Sequence, residues 1–178
     1  LDYPKERERG YDEPEDLFVP GYFEIPIARG ESIVFTASLD ARDPATLKPL
    51  IADEIEAHDP RDSFYHTLVN AAHQFRQQLG GLDYIIAGYP WFKPRARDTF
   101  IAMPGLTLAI GETEQFEKYM DTAALALDDF MGGRPVSVQI YETEQPDTLL
   151  WAMWCLQQYA KYVGRERCRE RYGALIDR

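Results

Sequence analysis

Ala87-Gly88-Tyr89-Pro90-Trp91-Phe92-Lys93-Pro94-Arg95-Ala96-Arg97-Asp98-Thr99-Phe100 is the least ordinary stretch of this 178-residue chain. From Tyr89 on, aromatic rings, two prolines and charged side chains are compressed ahead of an apolar run, Phe100 to Ile110. Sugars present flat C–H faces that stack on Trp and Tyr, and hydroxyls that accept and donate in pairs to Arg and Asp. Aromatics such as Tyr89 and Trp91 beside Arg97-Asp98 are therefore what a monosaccharide subsite needs. A plainer reading uses the same residues: Trp91 and Phe92 in a core, Arg97 on the surface, and Asp98 capping a helix that begins at Thr99.

Outward from this stretch the chain reads as helices joined by substantial loops. Downstream, Phe116, Met120, Ala123, Leu127 and Phe130 recur at helical spacing, and Leu149, Met153, Leu156, Ala160 and Val163 do so again before Gly164. Arg165 to Ile176 starts a further helix. Upstream, Leu47 to Ile55 forms a short stripe that ends before Asp59-Pro60, and Phe64, Leu68, Ala71, Ala72 and Phe75 form another, stopped by Gly80-Gly81. Asp83–Ala87 and Pro135–Ile140 read as extended pieces. Before them, Tyr22–Ile27 and Ser32–Leu39 look like two strands around the turn Ala28-Arg29-Gly30-Glu31. Two strands alone are not stable, so they are expected to belong to a sheet with strands further upstream. Helices with aromatic-rich loops suggest a toroid or barrel, its loops gathered at one end around a site.

A second chemically loaded segment is Tyr141-Glu142-Thr143-Glu144-Gln145-Pro146-Asp147-Thr148-Leu149-Leu150-Trp151. Hydrolysis of a glycosidic bond needs a carboxyl group that is protonated when it meets the leaving oxygen. Leu149, Leu150 and Trp151 would desolvate Asp147 and raise its pKa. Against this, Asp before an apolar periodic run is an ordinary helix cap, and a helix N-terminus favours the charged carboxylate. Glu142 and Glu144 are competing candidates.

Bulk properties narrow the function classes. A formal charge of −11 opposes a nucleic-acid surface, and no apolar run approaches eighteen residues, so neither nucleic acid nor membrane is expected as a partner. Cys155 and Cys168 lack metal-type spacing and read as free cytosolic thiols, which sets the expected localisation as cytoplasmic. His66 and His73 lie too far apart for joint ligation, so no metal and no cofactor are expected. The first residues are charged, without Met or an apolar signal core, so the chain is expected to be an internal or trimmed piece.

Three segments, in order, carry a resemblance to the glycogen debranching enzyme family, specifically its amylo-α-1,6-glucosidase part. Glu8 to Asp12, Glu15 to Leu17 and Pro20 to Phe23 look like the end of that family's N-terminal β-sandwich. Ala87 to Phe92 with Arg97 to Ala102 and Pro104-Gly105-Leu106 resembles its most recognisable signature, with Ala96 where the family usually has Gly. Tyr141, Asp147 and Leu150-Trp151 resemble its tyrosine-aspartate-tryptophan motif.

The resemblance implies a mainly α chain. Residues 1–42 would be the C-terminal end of an upstream β domain plus linker, contributing a β-hairpin. Residues 43–178 would be the N-terminal half of an (α/α)6 toroid. It implies that Arg97 and Asp98 bind the terminal glucose, with Tyr89, Trp91 and Tyr141 also contacting the sugar. Asp147 would protonate the glycosidic oxygen in an inverting mechanism, and a base would lie beyond Arg178. The expected partner is a branched α-glucan. With only half of the toroid present, the chain alone is expected to be inactive and to self-associate through uncovered apolar faces. Two alternatives stand beside the glucosidase: a 4-α-glucanotransferase-type debranching segment, and a non-catalytic glucan-binding helical module.

Overall fold

The computed structural model describes residues 2–12, 14, 16–89 and 92–178. The chain divides into two units, 1–52 and 53–178. The first holds a short helix α1 (Pro4–Glu8), a 3-10 turn (Pro44–Thr46) capped by Asp43, and the start of α2 (Leu47–Glu56). None of its described residues is buried. The strands expected at 22–27 and 32–39 do not form a ladder. The turn between them does form, with the Glu31 amide donating to the Ala28 carbonyl at 3.1 Å, and the Phe23 and Phe35 rings meet at 5.6 Å. β-branched and aromatic residues favour a strand only where there is a surface to pack on, and an isolated pair lacks one.

The second unit is helical around one small hairpin. Helix α3 (Phe64–His73) starts at Ser63, whose hydroxyl accepts from the His66 amide. It ends two residues before Phe75 and buries Val69, Asn70 and Ala72, leaving Phe64 and Leu68 exposed. The chain then forms antiparallel strands β1 (Arg76–Leu79) and β2 (Leu82–Ile85), where a helix stop is expected. Gly80 and Gly81 both take positive φ, 60° and 79°, which a two-residue hairpin turn requires and which L-residues adopt at a cost.

Helices α4 (Ala96–Leu106), α5 (Thr113–Met131), α6 (Thr148–Val163) and α7 (Arg165–Ile176) complete the unit. The expected α5 stripe is inside: Phe116, Met120, Ala123 and Leu127 are fully buried. On α6 the buried face is rotated from the expected one. Thr148, Ala152, Cys155, Leu156 and Tyr159 point inward, while Leu149 and Met153 are exposed. The core joins these faces to Tyr84 and Ile85 of β2, Phe100 and Met103 of α4, and Cys168 and Tyr172 of α7. Each such large side chain contributes about 1.5–3 kcal/mol by leaving water. Both thiols are free and buried, and desolvation pushes both pKa values up, so neither is a reactive thiolate.

Charge closes the junction of α5, α6 and α7. Glu117, almost buried, accepts from the Tyr159 hydroxyl and from Arg167 at 2.9 Å, with Arg171 3.6 Å away. The Tyr159 ring stacks on Phe116 with centroids 4.7 Å apart. Ahead of α5, a 3-10 turn (Leu108–Ile110) ends at Gly111 with φ of 84°. An L-residue there is strained by about 1–2 kcal/mol. Gly111→Ala is therefore expected to lower stability by that amount in chemical denaturation, with the helix content of the folded state unchanged.

Among the described residues, no helix is long and apolar enough to cross a membrane, and no three metal-binding side chains cluster. His66 pairs with Asp62 at 2.6 Å and His73 with Glu112 at 2.9 Å.

Candidate functional site

The two chemically loaded segments meet. The backbone around Arg95 runs beside that of Tyr141 as a parallel bridge. The Tyr141 amide donates to the Pro94 carbonyl at 3.0 Å, and the Ala96 amide to the Tyr141 carbonyl at 2.9 Å. This fixes the start of α4 against the lead-in to α6, and the packing of α4 on α6 continues the contact. Helix α4 begins at Ala96, not Thr99. Its N-cap position is Arg95 with no side-chain cap, and Asp98 lies in the first turn.

Beside that bridge, Arg97 and Asp147, fifty residues apart in sequence, form an ion pair. The Arg97 guanidinium donates to Oδ1 of Asp147 from Nη2 at 2.9 Å and from Nε at 3.2 Å. The other oxygen, Oδ2, accepts from the Trp151 indole Nε1–H at 3.0 Å. Asp147 occupies the N-cap position of α6, yet its side chain makes no capping bond. Both carboxylate oxygens are committed to side-chain donors instead. Of the two opposing expectations for its pKa, these contacts decide for the lowering one. Arg97, above all, and Trp151 hold the carboxyl below the usual carboxylate range against the opposing effect of desolvation. Leu149 and Leu150, the residues expected to desolvate it, point outward.

The other candidates are distributed around this pair. Asp98 lines a hollow of about 200 Å³ with Phe75, Ile86, Ala87, Ile101 and Leu106, while its neighbour Arg97 turns to Asp147. Tyr89 is 57% exposed and meets the Phe75 ring edge-on at 6.2 Å. Tyr141 is exposed and carries the Lys93 ammonium 4.9 Å above its ring. It lines an open groove of about 700 Å³ with Phe92, Lys93, Arg95, Glu142 and Glu144. Trp91 lies outside the described residues. Exposed aromatic faces beside donors and carboxylates can stack on and hydrogen-bond a polyol.

Two contributors escaped the sequence reading. Arg95 pairs with Glu142 at 3.4 Å. Glu142 itself has φ of 58°, the one non-glycine in the left-handed region among the described residues, and such strain collects at ligand sites. Trp151 enters as a hydrogen-bond donor as well as an apolar neighbour. Its spacing of four from Asp147 within a helix was the available signal.

Comparison with known families gives two matches. A family described as amylo-alpha-1,6-glucosidase matches residues 70–175, and one described as glycogen debranching enzyme N terminal matches residues 1–34. No curated protein and no solved structure matches the chain.

Proposed function

The chain belongs to the amylo-alpha-1,6-glucosidase family, and from that premise we propose that it supplies a glucose-binding wall and the general acid of a debranching glycosidase. The substrate is a branched α-glucan carrying α-1,6-linked glucose. One observation carries the reading: Arg97 and Asp147, from separate signature segments, meet at a single point where a backbone bridge also ties the segments together.

In this reading Arg97 and Asp98 take the hydroxyls of the terminal glucose, and Tyr89, Trp91 and Tyr141 offer ring faces. Asp147, once protonated, gives its proton to the glycosidic oxygen as the C1–O bond breaks. Water attacks C1 from the opposite face, losing its proton to a second carboxylate that an inverting reaction sets roughly 6.5–9.5 Å from the acid. The guanidinium that holds Asp147 ionised in the sugar-free state is also the group offered to the sugar. Binding and protonation are thus linked.

Incubating the protein in its complete form with an oligosaccharide bearing a single α-1,6 glucose stub, and with its linear counterpart, tests this. Free glucose is expected from the branched substrate only, appearing first as the β anomer. Lengthened and shortened linear chains without free glucose would establish transfer instead.

A further inference from the structure

We propose that Trp151 is a positioning residue for the acid: its indole N–H pins Oδ2 of Asp147, which makes Oδ1 the oxygen that delivers the proton. The inference rests on the reading of Asp147 as the acid.

The indole Nε1–H is a donor only. An oxygen that accepts from it cannot also point a proton of its own along that bond. A carbonyl oxygen is the stronger acceptor, so while the 3.0 Å contact holds, protonated Asp147 favours its carbonyl at Oδ2 and its hydroxyl at Oδ1. Arg97 is likewise donor-only, and it occupies Oδ1 twice. A proton on Oδ1 displaces at least one of the two guanidinium bonds, whereas the acid form leaves the Trp151 contact in place. The two partners therefore have different fates: Trp151 keeps its bond through the cycle, and Arg97 leaves Oδ1 when sugar hydroxyls draw it away.

The surroundings suit a fixed donor. Trp151 is half-buried, packs on the core, and meets Trp154 edge-on at 5.6 Å with planes 84° apart. It stands one helical turn after Asp147, and its own amide donates to the Asp147 carbonyl at 3.0 Å, so backbone and side chain hold the same residue. Arg97 is less enclosed, with half of its side chain exposed. The charged groups bearing on the pair are Arg97 itself from α4, with Asp98 and Glu142 acting on the guanidinium. When the acid acts, the Oδ1–H bond breaks and an O–H bond forms on the glycosidic oxygen. The C1–O electron pair leaves with the alcohol, and water supplies the new bond at C1.

The test uses Trp151→Phe and Asp147→Asn in the complete protein, with Tyr162→Phe, an exposed aromatic further along α6, as a control. In the indole region of a 15N-correlated spectrum, the signal lost in Trp151→Phe should move upfield in Asp147→Asn, because an amide oxygen accepts more weakly than a carboxylate. In kinetics, Trp151→Phe should lower kcat by about ten- to a hundredfold through misplacement of the acid, with KM within about twofold.

The pH profile gives the sign. The indole bond favours the ionised form, so its loss raises the pKa of Asp147. An acid works while protonated, so the alkaline limb of kcat should move to higher pH in Trp151→Phe and stay in place in Tyr162→Phe. In the unmodified protein the alkaline limb of kcat should lie above that of kcat/KM, since only the free enzyme keeps Arg97 on Oδ1. An unmoved limb in Trp151→Phe, or an indole signal indifferent to Asp147→Asn, overturns the positioning role and leaves the acid assignment intact. Full activity of Asp147→Asn overturns both.

Discussion

Replacing Asp147 by Asn is expected to reduce glucose release from an α-1,6-branched substrate by about 10²–10⁴-fold, the usual contribution of a positioned general acid. The change is nearly isosteric, and the amide oxygen can still accept from one of the two donors, Trp151 or Arg97, although the amide NH2 cannot accept from the other. Folding should survive, as circular dichroism and a melting curve will establish. What the variant loses is a proton it can release to the leaving oxygen. Substrates that need no proton separate this effect from a loss of binding. With glucosyl fluoride, whose leaving group departs without protonation, the variant should recover most of the lost rate. A loss of less than about tenfold on the natural bond would remove Asp147 from the role and turn attention to Glu142 and Glu144.

Glu117→Ala should produce the largest loss of stability, about 2–4 kcal/mol in chemical denaturation. The loss combines an orphaned buried hydroxyl at Tyr159 with the breaking of ion pairs between the nearly buried Glu117 and two partly exposed arginines, Arg167 and Arg171. Tyr159 has no route to water: it is fully buried and stacked on Phe116. Although burial opposes it, the Tyr159, Arg167 and Arg171 contacts hold the Glu117 carboxyl below its ordinary value of 4.5. A carboxylate depressed in the folded state stabilises the fold above its unfolded pKa, and that contribution disappears as the pH falls through the folded value. The gap between the parent protein and Glu117→Ala should therefore be full above pH 4.5 and shrink steadily in more acid solution. A gap independent of pH would mean that the lost stability is packing alone. The hydroxyl deletion Tyr159→Phe removes one donor and keeps the ring, and should cost less.

Much of the helical frame was legible in the sequence because period 3.6 survives when one face is thoroughly buried. Helix α5 shows this best, and Gly164 ends α6 where the pattern stops. Helix α6 shows the limit. Leu149 and Met153 are apolar but exposed, while Thr148, Cys155 and Tyr159 fill the interior, so hydropathy selects a face that packing does not use. The hairpin at 76–85 was hidden by Arg76-Gln77-Gln78, which carries little strand propensity, although Gly80-Gly81 is the signature of a tight reversal. The opposite error occurs at 22–39, where strand-forming residues have no ladder to join. For the site, residue chemistry singled out Arg97 and Asp147, yet their pairing was invisible. Nothing local encodes a contact across fifty residues, and local reasoning about Leu149 and Leu150 gave the wrong direction for the pKa.

The bridge between residues 94–96 and Tyr141 has a consequence for how the protein acquires its chemistry. It closes a loop of some forty-five residues, whose ends cost about 3 kcal/mol of chain entropy to bring together. That cost is recovered only once the intervening α4 and α5 are docked. The clasp is accordingly expected to form late in folding, and exchange at the Ala96 and Tyr141 amides should require the same opening that releases α5. On the proposed reading, the sugar contacts of Arg97 and the acid Asp147 would then be assembled in one cooperative step.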